Sequence, residues 1–226
     1  MMALGRRTVL LSLWGSMLVA GCSFPQSLYF LMPEAKDPAE LKRLAAEDSK
    51  KEVKVVLWTY MSLDPRTEFI QADRRLAIML AEEMRRLSEE NNEKVTVVKP
   101  NLVDQYKSRH PNWQALELTK VGHDFGADYV INLEIDKLSL YEPNCNQQLY
   151  RGQTEILVSL VDMKNPDDVQ SKEFNDRYPS EAGSINTWDM TPTMFRDKFL
   201  EHVAKRLSFY FVDHRRRTKM VMIDDN

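Results

Sequence analysis

The stretch VKVVLWTY, residues 53–60, most narrows what this chain can fold into. Its apolar run Val55, Val56, Leu57 and Trp58, closed by the turn-forming SLDPRT, reads as a buried strand. A helix is expected over residues 66–90. There Phe69, Leu76, Leu80, Met84 and Leu87 recur at helical spacing, and EEMRRLSEE charges the other face. EKVTVVKP is a second strand, ended by Pro100. A strand, a helix and a strand in this order favour a right-handed parallel crossover. NWQALELTKVGHDFG reads as a second helix, marked by Trp113, Leu116 and Val121 and stopped by Gly126.

The remaining pattern is richer in strands. In ADYVINLEIDKLSLY, Tyr129, Ile131, Leu133 and Ile135 alternate with Asn132 and Glu134. GQTEILVSLVDM alternates Ile156, Val158 and Leu160, and NPDD turns it into a weaker strand, VQSKEFNDRYP. A looser stretch leads to a last helix over residues 193–214, with Phe195, Phe199, Val203, Leu207 and Tyr210 as its buried stripe. The order is β-α-β-α-β-β-β-α. It predicts a single-domain α/β sandwich over residues 53–214, with a mixed sheet whose last strands form an antiparallel hairpin at the edge.

The N-terminus follows a different logic. Arg6 and Arg7 precede thirteen uncharged residues, 8–20, fewer than the roughly 20 needed to span a bilayer. A positive region, an apolar run and small residues before a cut site make an export signal. Leu18-Val19-Ala20-Gly21-Cys22 resembles the bacterial lipobox, which implies that the Cys22 thiol is acylated and becomes the new N-terminus. Residues 1–21 are then a lipoprotein signal peptide, and acyl chains of the palmitate kind on Cys22 anchor the chain without spanning the membrane. Each buried methylene contributes about 0.8 kcal/mol. Ser23 follows Cys22, which by resemblance to enterobacterial sorting implies the periplasmic face of the outer membrane. Residues 22–52 read as lipidated Cys and tether. DPAELKRLAAED within it reads as a short helix, with Asp37 as N-cap and Pro38 at the first position.

Without the leader arginines the chain carries 29 basic and 34 acidic residues, a formal charge of −5 (31 less two, against 34). That argues against a nucleic-acid partner. With Cys22 acylated, Cys145 in EPNCNQQ has no partner within the chain; it is an incidental surface residue, a free thiol or a link to another chain.

The chemistry-bearing motifs are missing. His110, His123, His202 and His214 show no metal-ligand spacing, and HExxH, GxSxG, GxGxxG and the Walker A loop are absent. Glu134, Asp136 and Asp162 sit on or at the ends of strands, where carboxylates are usually solvated or ion-paired. No catalytic residue, metal or cofactor is expected, and the chain reads as a non-enzyme. Two features suggest interaction. DHRRRTK places Arg215, Arg216 and Arg217 after the last helix, at the start of a tail (215–226) that is basic, then acidic. The arginines would meet anionic headgroups or glycan phosphates at about 1 kcal/mol each, or complement the helix dipole. Trp188 lies in the polar loop YPSEAGSINTWDMTP, where it would anchor a partner or fold back onto the core.

The motifs LAEEM, Gly126-Ala127-Asp128-Tyr129-Val130-Ile131 and TEILVSLVDM together resemble a group of envelope lipoproteins and periplasmic domains. The group includes the curli-secretion lipoprotein CsgG, the penicillin-binding-protein activator LpoB, the exopolysaccharide lipoprotein PelC and the N-terminal domain of TolB. PNWQAL, GADYVI and LYRGQ are also similar to planctomycete lipoproteins. The resemblance covers residues 53–214. The chain departs from it in lacking pore-forming amphipathic strand pairs, a following propeller and a long Pro-rich tether, and no functional residue carries over. It implies a membrane-anchored periplasmic lipoprotein that acts as a non-enzymatic interaction or assembly component of an envelope transport or wall-building complex. Its partners would be the membrane, through the acyl chains, and an envelope protein or further copies of itself. The other reading is a monomeric binding module for a small envelope ligand or glycan.

Overall fold

The computed structural model describes residues 36–46, 51–62, 69–179 and 183–215. The body Asp37–His214 is an α/β domain. The signal peptide, Cys22, Arg216 and Arg217 lie outside the described residues.

Strand β1 (Val53–Met61) is followed by helix α1 (Ala72–Glu90) and a short strand β2 (Val95–Val97). Helix α1 begins after Gln71, whose φ of 62° is left-handed and interrupts the helix expected to run back to residue 66. Pro100 does more than end β2. It opens helix α2 (Pro100–Arg109), where its missing N–H costs nothing. A 3-10 turn (Trp113–Ala115) and helix α3 (Leu118–Phe125) follow. Gly126 stops α3 as expected: its φ is 58°, and the Ala127 N–H reaches back to the Gly122 carbonyl at 2.9 Å. Then come β3 (Tyr129–Tyr141), β4 (Leu149–Asp162), β5 (Asn165–Tyr178), a two-residue strand β6 (Ile185–Asn186) and helix α4 (Pro192–Ser208).

The sheet order is β2-β1-β3-β4-β5, with β6 also on β4. Strand β1 pairs in parallel with β2 and β3, while β3, β4 and β5 form an antiparallel meander. The sheet is therefore mixed, and the expected order gains one helix, α2. That helix escapes a sequence reading because it buries only Val103.

Helices α1 and α4 cover one face. Leu76, Leu80, Met84, Phe195, Phe199 and Val203 meet Val55, Leu57, Ile131, Leu133, Ile156 and Val158 there. The opposite face is covered by α2, the 3-10 turn and α3 around Val56, Trp58 and Val130. Trp58 meets Tyr106 and Trp113 edge-on, with centroids 6.1 and 5.9 Å apart. The rest of that face, on β3 to β5, carries polar side chains, as an antiparallel sheet with one wet side does.

The tether reading needs correction at its C-terminal end. Residues 37–46 form no helix. They lie along the chain that follows α4: the Glu40, Leu41, Lys42 and Leu44 N–H groups donate to the carbonyls of Phe209, Tyr210, Tyr210 and Phe211 at 3.0–3.2 Å. Leu44 is 1% exposed and belongs to the main core. Helix α4 stops at Ser208, short of the expected His214, and the residues after it leave the helix to make these bonds.

Candidate functional site

Trp188 is 88% exposed, and the backbone around it is firmly held. The strand pairs Leu149 with Asn186 and Tyr150 with Ile185 tie the incoming chain to β4. The Trp188 N–H donates to the Asn186 side-chain oxygen at 3.1 Å, and the Asp189 N–H to the Asn186 carbonyl at 3.0 Å. Thr191 then caps α4, its Oγ1 accepting from the Met194 N–H at 3.3 Å. Trp188 is thus displayed from a built turn, and the alternative that it folds back onto the core does not hold. Met194, also exposed, follows in the first turn of α4.

The Thr187 N–H donates to the Gln148 carbonyl at 3.1 Å, which sets the Trp188 turn beside the β3–β4 turn that holds Cys145. Asn144, Asn146 and Gln147 in that turn take positive φ values of 64°, 45° and 60°. Cys145 is half-buried and free. The structure therefore places two sequence-selected features on adjacent turns. The third, the basic cluster, is described only at the exposed Arg215.

Most of the groups weighed for chemistry have close neighbours in the fold. His202 Nε2 lies 3.1 Å from the Asp176 carboxylate, with Arg206 Nε 3.6 Å from the same oxygen. His110 stacks on Tyr106 at 4.1 Å and His214 on Phe209 at 3.8 Å, while His123 is exposed. Asp162 accepts from the Lys164 N–H at 3.0 Å, and Asp136 from the Ser62 hydroxyl at 2.7 Å. Burial, then the neighbouring Glu134, pushes the Tyr60 hydroxyl above its ordinary pKa. Among the described residues no three potential ligands gather to hold a metal.

Two further features had no signal in the sequence. On the open half of the sheet, β3, β4 and β5 line a polar depression of about 790 Å³ with Gln153, Glu155, Leu157, Asn175 and Arg177. Lys137 and Glu155 pair across it at 2.9 Å. On the covered half, the half-buried Lys107 ammonium sits 4.7 and 4.6 Å from the Trp58 and Trp113 ring centres and donates to the Thr59 carbonyl. Desolvation lowers its pKa. Tyr106 beside it is pushed up to about 12 by burial and by its bond to Asp124. Only the fold brings these aromatics, from β1, α2 and the 3-10 turn, around one amine.

No model of a known protein family matches the sequence, and no curated protein matches it. Solved structures similar to it include a PelC dodecamer from Paraburkholderia phytofirmans, at 8% identity and a TM-score of 0.41, covering 79% of this chain and 97% of that one. A lipoprotein from Neisseria meningitidis aligns at 13% identity and a TM-score of 0.41, over 69% of this chain and 98% of its own. A DUF330 protein from Xanthomonas campestris aligns at 10% identity and a TM-score of 0.39, over 77% and 92%. Likeness of this degree carries no role across to this chain. No helix among the described residues is long and apolar enough to cross a membrane.

Proposed function

We propose that this chain is a periplasmic lipoprotein, held on the outer membrane through Cys22, that works without catalysis by binding another envelope protein or further copies of itself. The observation that carries this reading is Trp188. A tryptophan held in solvent on a hydrogen-bonded turn, with an exposed methionine following in the first turn of α4, is a desolvatable anchor at low entropy cost. The lipobox resemblance at residues 18–22 supports the anchor. The absence of nucleophile, phosphate-loop and zinc motifs from the sequence supports a non-enzymatic role.

The test is photo-cross-linking in intact cells, with a photoreactive residue in place of Trp188. The expected result is a discrete adduct with one envelope protein, or a ladder of self-adducts. Trp188→Ala should leave the melting temperature unchanged, because little is buried, yet weaken association by about thirty-fold or more, the loss expected of a hot spot. In the same cells Cys22→Ser should accumulate as unprocessed, unacylated precursor. A still acylated Cys22→Ser protein would remove the anchor, and a Trp188 position that yields no adduct would remove the interaction role. A second reading, a monomeric module for a small glycan, is favoured by the polar depression of β3 to β5. It would be supported by a monomer without adducts that binds a soluble glycan there.

A further inference from the structure

The segment 37–46 runs beside the end of the sheet at which β1 and β3 begin and β4 finishes. Between them lies a cleft of about 540 Å³. Lys42 of the segment, Lys51 before β1 and Lys164 after β4 line it, together with Asp128, Tyr129 and Asp162. This is the other end of α4 from the Trp188 turn: Trp188 precedes that helix, and the segment bonds to the chain that follows it.

The ammonium groups of Lys42, Lys51 and Lys164 make no ion pair among the described residues. Arg43, also at the cleft, is already held by Glu93 at 2.6 Å and by Asp213 at 3.3 Å. Lys51 and Lys164 are exposed and Lys42 is half-buried, in a chain that is acidic as a whole. Three unpaired cations around one cleft raise its potential and favour an anion between them.

The two carboxylates of the cleft are only partly engaged. Asp128 Oδ2 accepts the Lys54 N–H at 2.9 Å, and Asp162 Oδ1 accepts the Lys164 N–H at 3.0 Å. Burial, then Asp162 and Asp128, raise the Tyr129 pKa, so its hydroxyl stays protonated beside them. A carboxylate has about four lone-pair sites, so both can still accept a cationic donor. Unpaired ammonium groups and carboxylates with acceptor capacity in one cleft match a ligand that itself carries both signs of charge.

We propose that this cleft binds the zwitterionic phosphoethanolamine headgroup of a membrane lipid, its phosphate meeting Lys42, Lys51 and Lys164 and its ammonium meeting Asp128 and Asp162. Complementarity of both signs selects this headgroup. A phosphatidylglycerol headgroup brings no cation to the carboxylates, and a phosphatidylcholine headgroup brings no N–H donor. The lipid source rests on the Cys22 anchor. Asp37, where the folded body begins, lies 15 residues after Cys22, a reach of at most about 50 Å. Acyl chains on Cys22 therefore keep the cleft among headgroups at high local concentration.

The test uses the full chain in neutral maltoside micelles. Short-chain phosphatidylethanolamine, phosphatidylglycerol and phosphatidylcholine, and water-soluble phosphoethanolamine, are titrated in and followed by amide NMR. With phosphatidylethanolamine the signals of Lys42, Lys51, Tyr129 and Lys164 should shift together and saturate, with an apparent Kd below about 1 mM. The other two lipids should bind at least about five-fold more weakly. Soluble phosphoethanolamine should bind at least about ten-fold more weakly, because the micelle does not gather it. Lys42→Gln, Lys51→Gln and Lys164→Gln should each weaken binding by about five-fold, and with no partner lost they should leave the melting temperature unchanged. Asp162→Asn, which keeps an acceptor for the Lys164 N–H, should erase the preference for phosphatidylethanolamine over phosphatidylglycerol. Trp188→Ala should leave all of these titrations unchanged. The proposal is overturned if phosphatidylethanolamine gives no saturable shift, if the three lipids bind alike, or if the lysine variants bind as wild type does. Equal binding of soluble phosphoethanolamine would overturn the lipid assignment in favour of a soluble ligand. The mass of the same sample tests the anchor separately: an unacylated chain that still selects phosphatidylethanolamine would remove the anchor and leave the headgroup site standing.

Discussion

Gly152 and Gly122 are residues whose absent side chains are needed for packing. A Cβ on Gly152 would lie 2.5 Å from Phe199 Cδ2 and 2.6 Å from its Cγ. Phe199 is fully buried and stacks on Phe195 at a centroid distance of 6.5 Å, so the ring has nowhere to go. A Cβ on Gly122 would lie 2.3 Å from Met163 Sδ, an unbranched and half-buried side chain that can swing aside, and 2.8 Å from Cγ2 of Val130, a buried β-branched side chain that has less room to move. Gly122 also sits inside α3, where alanine is the better helix former by about 1 kcal/mol. Gly152→Ala should therefore destabilise by about 2–3 kcal/mol, the scale of overpacking a tight core, and Gly122→Ala by less, about 1–2 kcal/mol, because Val130 must shift but Met163 yields and the helix gains. Denaturant titration of the two variants checks this, and equal effects would show that Phe199 yields as readily as Met163 and Val130. Neither glycine announces itself in the sequence, because the atoms that crowd it come from distant elements. Gly126 does, since a left-handed helix stop is a local requirement. Trp188 stood between these cases: its loop was legible, but which way the ring points depends on bonds to Asn186 and β4 that no local pattern encodes.

Strand β5 and helix α4 are held together at the sheet edge by a polar contact as well as by Phe174. Burial pushes the Asp176 pKa upward. The hydrogen bond from His202, the Arg177 N–H at 2.8 Å and the charges of His202 and Arg206 outweigh it, and the carboxyl stays ionised below its ordinary range. A carboxyl with a lower pKa in the folded than in the unfolded chain adds stability that is full above the unfolded value, about 3.9, and is lost as pH falls through the folded one. Wild type should therefore exceed Asp176→Asn in unfolding free energy by roughly 1–3 kcal/mol near pH 7. The gap should hold down to about pH 5 and close as the pH is taken toward 2. Chemical denaturation across that range measures it, and a gap that stays constant below pH 4 would mean the carboxylate charge is not what His202 recognises. At this scale the strands of the meander were legible because period-two alternation survives wherever one face is wet. Helix α2 was not, because one buried valine in ten residues leaves no period to read, and a proline can open a helix as well as close a strand.

Across the whole body, the segment 37–46 closes a circuit that sequence cannot show. Beyond the strand residue Asp37 it has no regular structure and hence no period, and its backbone partners are carbonyls more than 160 positions away. Composition made it a tether starting at Cys22, with the domain beginning at Val53, whereas the structure carries the folded body back to Asp37. Arg43 reaches Glu93 at 2.6 Å and Asp213 at 3.3 Å, and the Ala39 N–H donates to the Asp213 carboxylate at 3.0 Å. A chain beginning at Val53 would lose these contacts and the burial of Leu44, and would leave the Glu93 carboxylate inside without its cation. Each backbone bond contributes about 0.5–1.5 kcal/mol, Leu44 about 2–5, and a buried charge stripped of its partner costs about 3–5. These terms overlap, yet even half their sum is a large part of the roughly 5–15 kcal/mol that holds a domain together. A chain beginning at Asp37 should keep the melting transition of the full chain, while one beginning at Val53 should melt far lower or fail to fold. Leu44→Ala in the full chain isolates the packing share, expected at about 2–4 kcal/mol. If the two truncated chains melt together and Leu44→Ala is silent, the segment only rests on the domain. If they separate, the strap of residues 37–46 is itself part of the fold rather than a tether to it.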